Sequence, residues 1–198
     1  MRAAFALFGL IGLLPVACAE SPAPRASTPP SFDGASASSE AERYLPLRAD
    51  TVFSYSAWLP ESTEPTLLIL QVERPSANHA NLRSGASVKH LELVPDGVRL
   101  VTGGYLLKLP LAQGADWAGP AGRVRVTAAE REVRVAAGHF VGCLETTEMD
   151  TRGESARSIV TTYCPDVGIV KFSVDDGERQ ERFELKSFGA RVDVNQIE

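Results

Sequence analysis

The stretch Arg123-Val124-Arg125-Val126-Thr127-Ala128-Ala129-Glu130-Arg131-Glu132-Val133-Arg134-Val135 decides the fold. Arg123 to Val126 alternates charged and apolar residues strictly, and so does Glu132 to Val135. Alternation with period two puts every valine on one face and every charged residue on the other, the mark of a half-buried β-strand. Thr127 to Arg131 reads as a short loop between them, which predicts a hairpin with valines facing the core and arginines facing water.

Working outward, the same pattern recurs in short runs broken by Gly, Pro, Asp and Asn. Upstream are Thr51 to Trp58, a dense Pro65 to Val72 run (Leu67-Leu68-Ile69-Leu70) that suits a central strand buried on both faces, Val88 to Val94, Val98 to Thr102, and Tyr105 to Leu111. Downstream are His139 to Thr147, Arg157 to Pro165, Val167 to Val174 and Arg179 to Phe188. Pro95-Asp96-Gly97 and Asp175-Asp176-Gly177 carry the chemistry of tight turns. No segment keeps apolar residues at helical spacing over three turns. This amounts to roughly ten strands at spacings of about 8–12 residues. Short connections force antiparallel neighbours. The expected class is all-β: an antiparallel meander forming a strongly curved sheet or partly closed barrel.

The N-terminus belongs to a different category. Met1-Arg2 is followed by an almost unbroken apolar run from Ala3 to Leu14, the length of a signal-peptide core and too short to span a bilayer. Residues 1–17 are therefore expected to be a signal peptide. Leu13-Leu14-Pro15-Val16-Ala17-Cys18 looks like a lipoprotein processing site, with lipid added to Cys18. The alternative is cleavage after Ala17-Cys18-Ala19, which discards that cysteine. Residues 18–43 read as the lipid-anchor site and a disordered tether rich in Ser, Ala and Pro. As a flexible coil it would reach roughly 25–30 Å. Residues 44–188 are long enough for a single β domain, and 189–198 are expected to form a frayed tail. The net charge is −5, or −6 once Arg2 leaves with the signal. Mild acidity argues against nucleic acid as a partner, which requires a concentrated basic face.

With Cys18 lipidated or removed, Cys143 and Cys164 remain, an even pair in a chain bound for an oxidising compartment. Cross-strand partners in an antiparallel hairpin keep a constant sum of residue numbers. A turn centred between Gly153 and Glu154 thus sets Cys143 opposite Cys164, within disulfide reach. Two free buried thiols, or a metal or redox pair, are the rival readings. Metal needs more ligands than His79, His90 and His139 supply from their scattered positions, and redox pairs usually appear as Cys-x-x-Cys.

Motifs for chemistry are missing. There is no Gly-x-Ser-x-Gly elbow, no Gly-x-Gly-x-x-Gly or Walker loop, and no His-Glu-x-x-His. Asp175-Asp176 reads as a solvated turn. Arg123, Arg125 and Arg134 form either a solvated strand face or a stripe for an anionic ligand. Tyr44, Phe53, Tyr55 and Trp58 read as core or rim packing, with a ligand-binding aromatic wall as the minor alternative.

Three segments taken together carry a resemblance: Tyr44-Leu45-Pro46-Leu47 with Phe53-Ser54-Tyr55; Leu106 to Leu111 with Trp117; and Ala137-Gly138-His139-Phe140-Val141-Gly142-Cys143 with Tyr163-Cys164-Pro165-Asp166-Val167-Gly168-Ile169-Val170-Lys171. In this order they resemble a broad group of uncharacterised bacterial exported lipoproteins with a Tyr-x-Pro-Leu opening, an Ala-Gly-x-Phe-x-x-Cys strand and a Tyr-x-Pro-x-Val-Gly-x-Val-Lys strand. The sequence departs from that pattern at Asp50, Phe53 and Asp166, where the group usually has glycine, tryptophan and glycine. The resemblance implies an antiparallel, curved β domain and transfers no catalytic residue.

The functional expectation is a non-catalytic cell-envelope lipoprotein, without cofactor or metal, that binds or carries a ligand such as a lipid. The alternative is an envelope structural or assembly subunit that meets another protein through a strand edge. It would face the periplasm or the cell surface on its lipid; if Cys18 is cleaved off, it would be soluble in the periplasm or secreted.

Overall fold

A computed structural model of the chain describes residues 40–150, 153 and 156–191. The expected signal peptide, Cys18, nearly all of the tether and residues 192–198 lie outside them, as does most of the hairpin tip around Gly153.

The described chain opens with a one-turn helix, α1 (Glu40–Tyr44), and continues as twelve strands. They are β1 (Thr51–Trp58), β2 (Thr66–Ser76), β3 (His79–Ser84), β4 (Ser87–Val94), β5 (Gly97–Leu100), β6 (Tyr105–Lys108), β7 (Asp116–Ala118), β8 (Arg123–Val135), β9 (Gly138–Asp150), β10 (Arg157–Cys164), β11 (Gly168–Asp175) and β12 (Gln180–Ala190). All form one antiparallel sheet in the order β6-β5-β4-β3-β2-β1-β12-β11-β10-β9-β8-β7. Two six-strand meanders therefore meet where the first strand pairs with the last. The sheet curls until its edges β6 and β7 approach: the indole Nε1–H of Trp117 donates to the carbonyl of Tyr105 at 3.0 Å. The curved antiparallel meander expected from the alternation is thus a nearly closed barrel.

Alternation sorts the two faces. Phe53, Tyr55 and Ala57 of β1 point inward and are buried, as are Val124, Val126 and Leu144, Phe183 and Leu185. The outer wall carries crossed ion pairs between neighbouring strands: Glu73 with Arg83 at 2.9 Å, Glu92 with Arg99 at 2.7 Å, Lys171 with Glu184 at 3.2 Å, and Arg131 with Glu145. An apolar interior inside a charged wall is the reverse of a membrane-spanning barrel, which turns its apolar band outward. Among the described residues no helix is long and apolar enough to cross a membrane.

Several sequence expectations change. Arg123 to Val135 is one 13-residue strand, not a hairpin, and it pairs with β9 from Arg123↔Met149 to Val135↔Gly138. The expected loop contains neither Gly nor Pro, and its surplus residues are absorbed as bulges between Val126 and Val133, with Glu130 at φ 54°. Bulges bend a strand without ending it, and Gly142, at φ 69°, supplies the matching irregularity on β9. Strands β3 and β7 add to the expected set. β3 brings only Ala80 and Leu82 to the core, too thin an apolar signal to stand out. Leu67-Leu68-Ile69-Leu70 is not buried on both faces, since Leu67 is 58% exposed. The tether boundary also moves: residues 40–43 belong to α1, and Ala41 is fully buried. At the other terminus, β12 runs to Ala190, beyond the expected start of the tail.

Candidate functional site

Three features near the point where the chain enters the domain are built from residues that the strand pattern alone does not explain. The first is a plug. Ala41, Leu45 and Leu47 are buried, and Leu45 and Pro46 lie against Gly168 at the start of β11. Polar bonds fix this segment to the wall on several sides. Arg74 on β2 donates to the carbonyl of Leu47 at 3.0 Å and to Glu42 at 3.1 Å. The amide of Asp166 donates to the carbonyl of Arg43 at 2.7 Å. The hydroxyl of Tyr44 donates to the carbonyl of Gly142 at 3.0 Å. Burial is the main reason that the Tyr44 phenol titrates above its ordinary value, with Glu130 adding to the effect.

The second is a covalent rivet beside those anchors. Cys143 and Cys164 are joined by a disulfide with Cα atoms 4.2 Å apart. The β9–β10 register runs from Arg157↔Asp150 to Tyr163↔Leu144, so the next pair along the ladder is the cysteine pair itself. The hairpin arithmetic therefore holds. Gly142 and Asp166, the acceptor and donor for α1, flank the bridged residues.

The third is a split in the sheet. β12 pairs with β11 only from Gln180↔Asp175 to Glu184↔Lys171. Beyond that, β12 stays on β1 from Leu185↔Tyr55 to Ala190↔Thr51. Past the split, the carbonyl of Leu185 accepts from Ala137 at 3.1 Å, and the carbonyl of Ile169 accepts from the hydroxyl of the buried Tyr55 at 2.8 Å. Burial pushes the Tyr55 phenol far up from its ordinary value, so it remains a donor. Lys186 to Ala190 are all exposed; Ser187 to Ala190 pair with β1 alone, and Lys186 is a bulge that skips the ladder. Between this free edge and the β10–β11 turn lies a cleft of about 310 Å³ lined by Phe53, Phe188, Gly189, Asp166, Val167 and Arg48 among others.

The barrel interior is nearly full. Among the described residues it keeps a cavity of about 210 Å³ reached by Leu70, Ile159, Ile169 and Phe172, with Thr146, Thr161, Tyr163 and Glu148 as its polar groups, and one of about 20 Å³ between the plug and Tyr55. Those polar groups are already engaged. Tyr163 is hydrogen-bonded by Thr161 and Thr146, and its burial holds the phenol far above the usual range. Glu148 Oε1 accepts from the amides of Ala121 at 2.6 Å and Gly122 at 2.7 Å, clasping the β7–β8 turn to β9. Gly122 is required there, since a Cβ would lie 1.8 Å from the carbonyl oxygen of Met149. A further hollow of about 470 Å³ beside α1 is polar, carrying Arg43, Glu130 and Glu132.

No family model and no curated protein matches the chain. Among solved structures it is similar to a Bacteroides fragilis protein named as an exported protein with a YmcC-like fold, at TM-score 0.48 and 10% identity over 72% of this chain and 96% of that one. It is also similar to a protein from Parabacteroides distasonis named as a lipoprotein, at TM-score 0.45 and 12% identity, again over 72% and 96% of the two chains.

The structure disperses the other sequence candidates. Trp58 leaves the aromatic group and faces outward under the guanidinium of Arg182, 4.3 Å from the ring centroid. Phe53 and Tyr55 stay together inside, with ring centroids 6.5 Å apart. Arg123 pairs with Asp116. Asp175 and Asp176 cap their own turn: Asp175 accepts from Gly177 at 2.8 Å, and Asp176 from Arg179 at 2.8 Å. The split and the free end of β12 escape sequence reasoning, because alternation reports which face a residue takes and says nothing about which neighbour a strand leaves.

Proposed function

We propose that this chain is a non-catalytic envelope protein, exported and lipid-anchored at Cys18, that holds a second protein through a strand edge. The observation that carries this reading is a contrast inside one molecule. The interior is filled by side chains and the α1 plug, leaving about 210 Å³, below the ~300–1,000 Å³ typical of small-molecule pockets. The end of β12, Ser187–Ala190, is meanwhile exposed and pairs with β1 alone among the described strands. Exposed edges of this kind add strands from other chains. The carrier expectation draws its support from the apolar lining of the cavity, but the space for an acyl chain is small. The non-catalytic reading is supported by the engagement of the inward polar groups with one another and with backbone. Export is supported by the signal-type start and the Cys143–Cys164 bridge, a bond that persists in oxidising compartments.

Native mass spectrometry of the full protein extracted from its own envelope, followed by lipid extraction, tests the reading. The expected mature chain lacks residues 1–17, carries acyl mass on Cys18 and releases no further lipid. A stoichiometric lipid held apart from Cys18 would overturn the reading and restore the carrier.

A further inference from the structure

We propose that residues 66–70, the first part of β2, form an edge that pairs with the same edge of a second copy of this chain, antiparallel about a two-fold axis through Leu68. This edge lies on a different strand from the end of β12. The inference therefore goes beyond the reading above and does not depend on it.

β2 outreaches its neighbour. It pairs with β1 from Ala57↔Thr66 to Val52↔Gln71, but its ladder with β3 begins only at Gln71↔Arg83. β3 turns back into β4 at Ser84↔Ser87, so residues 66–70 have β1 on one side and no described strand on the other. The stretch reads Thr-Leu-Leu-Ile-Leu and carries no charge. Leu67 is 58% and Ile69 41% exposed on the outer face, while Leu68 and Leu70 pack inward against the core. Free edges are ordinarily guarded by charges or bulges. β8 shows such guarding: past Arg125, where its pairing with β7 stops, it has bulges and the exposed Glu130, Arg131, Glu132 and Arg134. Residues 66–70 have neither device, and their ladder with β1 is regular. An apolar, uncharged edge of this kind is one that another strand covers.

Chemistry and length select a second copy. An uncharged apolar strand calls for another, and antiparallel pairing about Leu68 supplies one. Leu67 of each copy then faces Ile69 of the other on the outer side, and the two Leu68 side chains meet on the inner side. The open stretch ends at Pro65 in one direction and at the β3–β4 turn in the other. In the two-fold pair, Pro65 of one copy falls beside Gln71 of the other. Each strand therefore leaves the pairing where the other copy's β3 takes over. Gly85 at the tip of that turn has open space beside it, which gives the departing chain room. A pair of this symmetry uses up both edges, so assembly stops at two copies.

The test uses two differently tagged copies of the full chain, made together in their own cells and solubilised in excess detergent. Copies of native sequence should co-purify. Leu67→Lys/Ile69→Lys in both copies sets like charges across the axis, and co-purification should fall at least tenfold. Leu67→Glu/Ile69→Glu in both should do the same. One lysine copy made with one glutamate copy puts opposite charges face to face and should restore co-purification, which also shows that both variants fold. Native copies that do not co-purify, variants that co-purify as before, or a mixed pair that stays apart would each overturn the proposal. A different protein retained by the native chain and lost from both double variants would overturn the second copy as occupant. Each of these results leaves the reading built on the end of β12 untouched.

Discussion

The two ends of the barrel are finished differently. Where the chain enters, a buried segment, a disulfide and a set of side chain-to-backbone bonds hold together strands that no longer pair with one another. At the opposite end, among the described residues, Glu148 clasps the β7–β8 turn and Asp175 and Asp176 cap the β11–β12 turn. The difference teaches that a sheet can leave part of one strand unpaired only if neighbouring groups do the work of the missing ladder. Tyr55, Ala137 and the plug are those groups around β12. An interior rigid enough to present an open edge is what distinguishes a docking surface from a frayed strand.

This contrast can be broken from the entering end first. Leu47 is 2% exposed and belongs to the plug. Leu47→Ala should destabilise the domain by about 3–4 kcal/mol through lost burial and a residual cavity. Denaturant unfolding would measure it, and hydrogen exchange should rise around Asp166 before it rises at the β7–β8 turn. Removing the bridge by Cys143→Ser/Cys164→Ser should lower stability by about 3 kcal/mol on the chain-entropy model for a loop of this length. An unchanged unfolding midpoint would show that the plug alone holds this end. At the far end, Glu148→Ala leaves the amides of Ala121 and Gly122 without their acceptor. A loss of about 2 kcal/mol is expected for charged-acceptor bonds in a partly buried place, with no change in exchange at Asp166. The smallest effect concerns acid. The backbone amides of Arg179 and Glu178 hold the Asp176 carboxyl below its ordinary value of 3.8. A lowered carboxyl pKa contributes stability that is present above the unfolded value and is lost as pH falls through the folded one. The melting-temperature difference between the native protein and Asp176→Asn should therefore be constant from pH 7 to about pH 5 and shrink below about pH 4.

The barrel is legible in the sequence because inward residues on most strands are large and regularly spaced, as in Phe53-Ser54-Tyr55 and Val124-Arg125-Val126. Cys143 and Cys164 are legible too, since antiparallel pairing turns residue number into position. Where the inward residues are small, as Ala80 is, a strand leaves too faint a trace. Where weak alternation across Thr127 to Arg131 suggests a loop, bulges do the same job within one strand. The helix at Glu40–Tyr44 is hidden by its Ser- and Ala-rich surroundings, although Ser39 followed by Glu40 and Glu42 has the makings of a helix start. The candidate docking edge is the least legible part. Its existence depends on where β11 departs from β12, a choice made by Tyr55 and the plug from more than a hundred residues away in sequence.

The pairing of the first strand with the last has a consequence for biogenesis. Until β12 has been made, no strand bridges the two meanders at the seam, and among the described residues only the plug, Tyr55 and the Trp117–Tyr105 bond join them. A nascent chain that stops short of Gln180 lacks the ladder that joins its halves, so cooperative folding waits for β12. Truncations that remove β12 should therefore be cleared by proteases rather than accumulate.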